Sequence, residues 1–72
     1  MTITEYIKMR LKELDMTQQQ LAEKIGITKQ NLNNKLSRDN FSSKELTEIA
    51  EALDAEIIIR TDSGVTKIEY HK

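Results

Sequence analysis

The chain has no cysteine, no proline, only two glycines and a single histidine. Without cysteine there can be neither a disulfide nor a thiolate metal site. Chains as short as 72 residues bury a modest fraction of their surface, so stability must come from close helix packing or from association. The same absence suits a reducing cytosol. With no proline, no repeat and no low-complexity stretch, nothing marks a boundary between two folding units. The longest aliphatic run is Ile57-Ile58-Ile59, whereas a membrane-crossing helix needs about 20 apolar residues. The N-terminus also lacks the apolar core of a signal peptide. These absences point to one small, soluble, cytoplasmic domain with no membrane partner.

Chemistry is equally sparse. His71 stands alone near the C-terminus, and a metal site needs several ligands. Gly26 and Gly64 lie too far apart to build a phosphate-cradling loop. Glu45, Glu48 and Glu51 recur at helical spacing, which makes a cap and a solvated face rather than an acid–base pair. Serines and threonines fall at caps and turns with no base in view. The reading is a non-enzyme that uses no cofactor and no metal.

A net charge of −1 is unusual for a nucleic-acid-binding module, but it conceals an asymmetry. Residues 1–38 carry seven basic and four acidic side chains, and residues 39–72 carry four basic and eight acidic ones. Within 28–38 there are three basic residues and no acid. Local charge, not the total, meets a phosphate.

Four helices and a hairpin can be read from caps and periodicity. Thr2 and Glu5 form a capping box, followed by Ile3, Ile7, Leu11 and Leu14 at helical spacing with Tyr6 beside them. Thr17 and Gln20 form a second box before Leu21, Ala22 and Ile25, and Gly26 stops that helix in a left-handed conformation. Thr28 caps a third helix, expected over 28–37, that buries Leu32 and Leu36. Ser42 and Glu45 form another box, with Phe41 and Leu46 placed for a hydrophobic staple. Leu46, Ile49, Ala50 and Leu53 then give the fourth helix its apolar face. Beyond Asp54 the pattern turns β-branched over 55–60 and alternates over 65–70, with Thr61-Asp62-Ser63-Gly64 as the turn. A lone two-stranded hairpin is marginal in water. Its apolar faces, carried by Ile57, Ile58, Ile59, Ile68 and Tyr70, must therefore pack on the helices, on a second copy, or on both.

The third helix is the most informative segment. Once Leu32 and Leu36 take the buried face, Thr28, Lys29, Gln30, Asn33, Asn34 and Ser37 remain outside or at its edges. Amides can bond adenine bidentately, and lysine suits guanine or phosphate. Asparagine is a poor helix former, so Asn31, Asn33 and Asn34 in one short helix suggest a role other than stability.

Residues 5–53 resemble the Cro/phage-repressor-like, XRE-type helix-turn-helix family. The resemblance rests on Met16-Thr17-Gln18, on Leu21-Ala22-Glu23-Lys24-Ile25-Gly26-Ile27-Thr28, and on Phe41-Ser42 leading to Leu46, Ile49, Ala50 and Leu53. It implies a mainly α fold, a four-helix lambda-repressor-like domain over 1–54, with a hairpin extension over 55–70. It further implies that Lys29, Gln30, Asn33 and Asn34 read bases. Gln18, Thr28, Ser37, Arg38 and Asn40 would contact phosphates, with Ser42 and Lys44 near them. Two departures stand out. The buried leucines of the third helix are four apart where many relatives space them by three, which implies a rotated or extended helix. A hairpin also replaces the fifth helix that many relatives use for pairing. The resulting expectation is a homodimeric transcriptional regulator, a repressor of phage or mobile-element type that binds a double-stranded DNA operator. The alternative is an antitoxin-like or scaffold module that uses the hairpin and the acidic half to hold a protein.

Overall fold

The computed structural model describes residues 1–69. It contains four helices followed by a two-stranded antiparallel hairpin: α1 (Ile3–Glu13), α2 (Gln18–Ile25), α3 (Lys29–Arg38), α4 (Ser43–Ala52), β1 (Ile57–Thr61) and β2 (Gly64–Ile68). No helix among these residues is long and apolar enough to cross a membrane.

Each helix starts at a hydroxyl cap. Thr2, Thr17, Thr28 and Ser42 are extended, and each accepts a hydrogen bond from the backbone N–H three residues on. At α1, α2 and α4 the reciprocal bond from Glu5, Gln20 or Glu45 completes a capping box. Each such cap stabilises its helix by about 1 kcal/mol.

The helix ends share a second device. The chain leaves α1, α2, α3 and α4 through Asp15, Gly26, Asp39 and Asp54, whose φ values are 53°, 78°, 50° and 54°. The next residue's N–H then reaches back to a carbonyl five positions earlier: Met16 to Leu11, Ile27 to Ala22, Asn40 to Lys35 and Ala55 to Ala50. This is the six-to-one closure of a Schellman motif. Met16, Ile27 and Ala55 follow the turn and pack on the core, which turns the chain back over its own helix. Glycine was legible as such a stop; the three aspartates were not.

The core consists of Ile7 and Leu11 from α1, Leu21 and Ala22 from α2, Leu32 and Leu36 from α3, and Ile49 and Leu53 from α4 and its cap. Each fully buried aliphatic side chain stabilises the fold by roughly 1.5–3 kcal/mol. Three expected core positions moved outward. Ile3 and Leu14 are exposed, because α1 turns only its central turns inward. On α4, Leu46 is only half-buried and Thr47 takes the inner position. The Thr47 hydroxyl shares its proton between the Ser43 and Lys44 carbonyls, at 3.1 and 2.9 Å. Back-bonding of this kind satisfies the one polar group that the apolar face admits.

The hairpin pairs Ile57 with Ile68, Ile58 with Lys67, Ile59 with Thr66, Arg60 with Val65 and Thr61 with Gly64. Its strands are shifted from the expected 55–60 and 65–70. Ala55 is held in the closure of α4, and Gly64 joins the ladder. Asp62 and Ser63 keep negative φ, so Gly64 alone, at φ 148°, supplies the backbone freedom of the turn. Ile57 and Ile68 share a half-buried face beside α4, while Ile58, Ile59 and Val65 remain exposed. Tyr70, expected on the same face as Ile68, and His71 lie outside the described residues.

Candidate functional site

The α3 helix presents the densest set of uncommitted polar side chains in the fold. Helical periodicity sorts it into rows. Leu32 and Leu36 face the core. Opposite them runs the row Gln30–Asn34–Arg38, flanked by Lys29–Asn33–Ser37 on one side and Asn31–Lys35 on the other. All of these are exposed except Lys35, which is half-buried. The helix runs through Arg38, one residue beyond the expected end, and both leucines, one turn apart, are buried.

Lys29, Gln30, Asn31, Asn33, Asn34 and Arg38 make no side-chain hydrogen bond or ion pair among the described residues, whereas two other members of the helix are engaged. The Ser37 hydroxyl donates to the Asn33 carbonyl at 2.9 Å, so its proton is already used. The Lys35 ammonium pairs with Glu45 on α4. That contact, with the Ser42 N–H second to it, lowers the Glu45 carboxyl from 4.5 to about 2. Asn31 was not among the expected site residues. Its exposure follows from its place on the far side of α3 from Lys29, a row that the burial of Leu32 and Leu36 already implied.

The surrounding expected residues are placed as follows. Gln18 is the first residue of α2 and is half-buried, and Thr28 is the cap of α3. Arg38 and Asn40 are exposed at the C-terminal end of α3. Lys44 lies 3.9 Å from Glu48, and Ser42 is occupied as the cap of α4. Ile57 and Ile68, expected at an interface, are half-buried beside α4, whereas Ile58 and Ile59 are open.

Apart from its two leucines, what fixes α3 was not visible in the sequence. The Thr4 N–H of α1 donates to Asp39 Oδ1 at 3.0 Å. The Thr4 hydroxyl lies 2.7 Å from the same oxygen and 2.9 Å from the Leu36 carbonyl, one proton shared between two acceptors. The carboxylate of Asp39 thus satisfies a free N–H in the first turn of α1, where the helix dipole also favours it. The α1 helix is tied in turn to the end of α4, because Arg10 Nε donates to the Leu53 carbonyl at 3.1 Å. The outward rows of α3 therefore stand on a helix held by two leucines, an ion pair to α4 and a clamp to α1.

Fold and surface together define a small four-helix domain with a hairpin, presenting an acid-free amide and cation face. Residues 1–58 match a family described as a domain of unknown function (DUF6471), and the chain belongs to that family. The match spans all four helices and stops within β1. Comparison with curated proteins and with solved structures gave no match.

Proposed function

We propose that this protein is a sequence-specific double-stranded DNA-binding regulator that reads the major groove with α3 and acts as a repressor by occupying an operator. The observation that carries the reading is the outer surface of α3. Over ten residues it offers amides and cations and no acid, and most of those side chains have no partner within the fold. A surface selected only for solubility would mix charges of both signs and favour better helix formers than asparagine.

In this reading α2 and α3 form a helix-turn-helix around Gly26-Ile27-Thr28. Lys29, Gln30, Asn33 and Asn34 address base edges, and Asn31 joins them. Gln18, Thr28, Arg38 and Asn40 address phosphates. The Lys35–Glu45 pair withdraws Lys35 from the DNA and uses it to hold the helix. Negative charge concentrated after residue 39 lies outside the reading helix and biases the orientation of approach.

The experiment is selection from a randomised duplex library at near-physiological salt, followed by affinity measurements on the enriched sequence. Gln30→Ala and Asn34→Ala should each weaken binding by roughly 5- to 150-fold and relax preference at one base pair, as for loss of a bidentate base contact. Arg38→Ala should weaken enriched and scrambled duplexes alike and make the salt dependence shallower by about one unit of slope. Enrichment of no sequence, or affinities indifferent to all three changes, would remove the DNA-reading assignment and leave a protein-binding scaffold.

A further inference from the structure

β1 is bonded to β2 along one edge, and its other edge carries no strand among the described residues. An open edge is a row of unpaired amide and carbonyl groups, and proteins usually blunt it with lysine, proline, a bulge or a cover. Here the edge strand presents Ile58, 44 % exposed, and at its centre Ile59, 56 % exposed. Beside the strand lies an open apolar groove of about 390 Å³, with Ile7, Leu46, Ile49 and Leu53 along it and Ile3 and Tyr6 at its α1 side. Hairpin and groove are both incomplete as they stand.

The charge order of the strand identifies what completes them. Glu56-Ile57-Ile58-Ile59-Arg60 is symmetric about Ile58, with opposite charges at its two ends. Both Glu56 and Arg60 are exposed, and neither makes an ion pair or side-chain hydrogen bond among the described residues. We propose that β1 pairs antiparallel with β1 of a second copy of this chain, about a two-fold axis through Ile58, to form a four-stranded sheet in the order β2-β1-β1-β2. In that register Ile58 faces its own counterpart, Ile57 faces Ile59 of the second copy, and Glu56 faces Arg60 of the second copy, twice over. Moving the axis by one residue, to Ile59, would set Glu56 against Asp62 and Arg60 against Ile58, leaving both charges unmatched.

The interface is isologous, so each copy must carry both halves of every contact. The groove and the isoleucine that covers it satisfy this condition. Ile59 of the second copy becomes the cross-strand neighbour of Ile57, on the sheet face that Ile57 turns towards α4 and the groove. A foreign strand would need the same charge order to pair as well. The sheet also grows from two strands to four, which lifts it out of the marginal range for an isolated hairpin. The proposal does not depend on what α3 reads.

The test is the dimer Kd of the full chain by sedimentation, without DNA, for the wild type, Glu56→Arg, Arg60→Glu and the double exchange. The wild type should be a dimer. Each single reversal sets two like-charge pairs across the axis and should raise Kd by about tenfold or more, and the double exchange should restore it. Circular dichroism melts of the same variants should be unchanged at concentrations where all are monomeric, since both side chains are exposed. The chain has no cysteine, so Ile58→Cys should oxidise to a crosslinked dimer. Facing Cα atoms in an antiparallel pair lie about 4.5–5.5 Å apart, within disulfide range. Asp62→Cys, at the hairpin tip, should not crosslink comparably. A monomeric wild type, a dimer indifferent to single reversals, or a double exchange that fails to restore association would each overturn the proposal.

Discussion

Three aspartates occupy the left-handed position that ends a helix, and the structure predicts opposite signs for the same substitution at different members of the set. Asp15, Asp39 and Asp54 have φ of 53°, 50° and 54°. A residue with a Cβ pays about 1–2 kcal/mol in that region, somewhat less for aspartate, and glycine removes that cost. A carboxylate at a helix C-terminus also opposes the dipole, by about 0.3–1 kcal/mol. Against these gains stands the greater freedom of glycine in the unfolded chain, about 0.4–1 kcal/mol. For Asp15→Gly and Asp54→Gly, neither of which loses a side-chain hydrogen bond, the net should be a stabilisation of about 0.5–1 kcal/mol, or a rise in Tm of roughly 2–8 °C for a domain of this size. Asp39→Gly has the same backbone gain but loses both bonds to Thr4, at 3.0 and 2.7 Å. Bonds to a charged acceptor contribute roughly 1.5–3 kcal/mol when sheltered and less at an exposed site, so the balance there should be a loss of about 1 kcal/mol. Thermal and urea unfolding of the three variants, all at one protein concentration, measures this directly. If Asp39→Gly stabilises as much as the other two, the clamp between α3 and α1 contributes nothing and the reasoning fails.

Further outcomes follow from the core and from the α3–α4 contact. Leu32→Ala removes a side chain with no exposure at all and should cost about 2.7–5 kcal/mol, enough to leave a domain of this size largely unfolded by circular dichroism. Glu45→Gln should destabilise by about 0.5–1 kcal/mol at pH 7, the range of a partly exposed ion pair. Because the carboxyl is lowered from 4.5 to about 2 by Lys35 and the Ser42 N–H, its contribution is fully present above pH 4.5 and is lost as the pH falls towards 2. Urea titrations should therefore show the gap between wild type and variant closing over that window, and a gap that persists at the acid end would count against the assignment.

The helices were legible because their signals are local. A hydroxyl followed three residues later by Glu or Gln states its own structure, and all four caps fall at Thr2, Thr17, Thr28 and Ser42 as read. The polar face of α3 was legible for the same reason, since Leu32 and Leu36 fix which way the helix turns. What stayed hidden depends on neighbours far along the chain. Thr47 displaced Leu46 from the core because its hydroxyl could bond back within its own helix while Leu46 turned to the groove. Aspartate at a helix end reads as ordinary surface charge until the backbone angle is known. The Asp39–Thr4 and Lys35–Glu45 contacts join residues with nothing in the sequence to pair them.

Those long-range contacts also explain how a short, asparagine-rich helix can present its side chains in a fixed frame. α3 has low intrinsic propensity, and its ten residues fall short of the length at which an isolated helix becomes marginally stable, about 12–15 residues. Its order must come from outside. Leu32 and Leu36 fix its rotation, Lys35 fixes one flank against α4, and Asp39 fixes its end against α1. Of these groups only Lys35, half-buried at one edge, belongs to a polar row, and its ammonium is taken by Glu45. The polar surface of α3 is therefore free to differ from one chain to another without loosening the helix that carries it. Substitutions at Gln30 or Asn34 should alter recognition and leave the melting temperature nearly unchanged, whereas substitutions at Lys35 or Asp39 should lower the melting temperature first and affect binding only through the position of the helix.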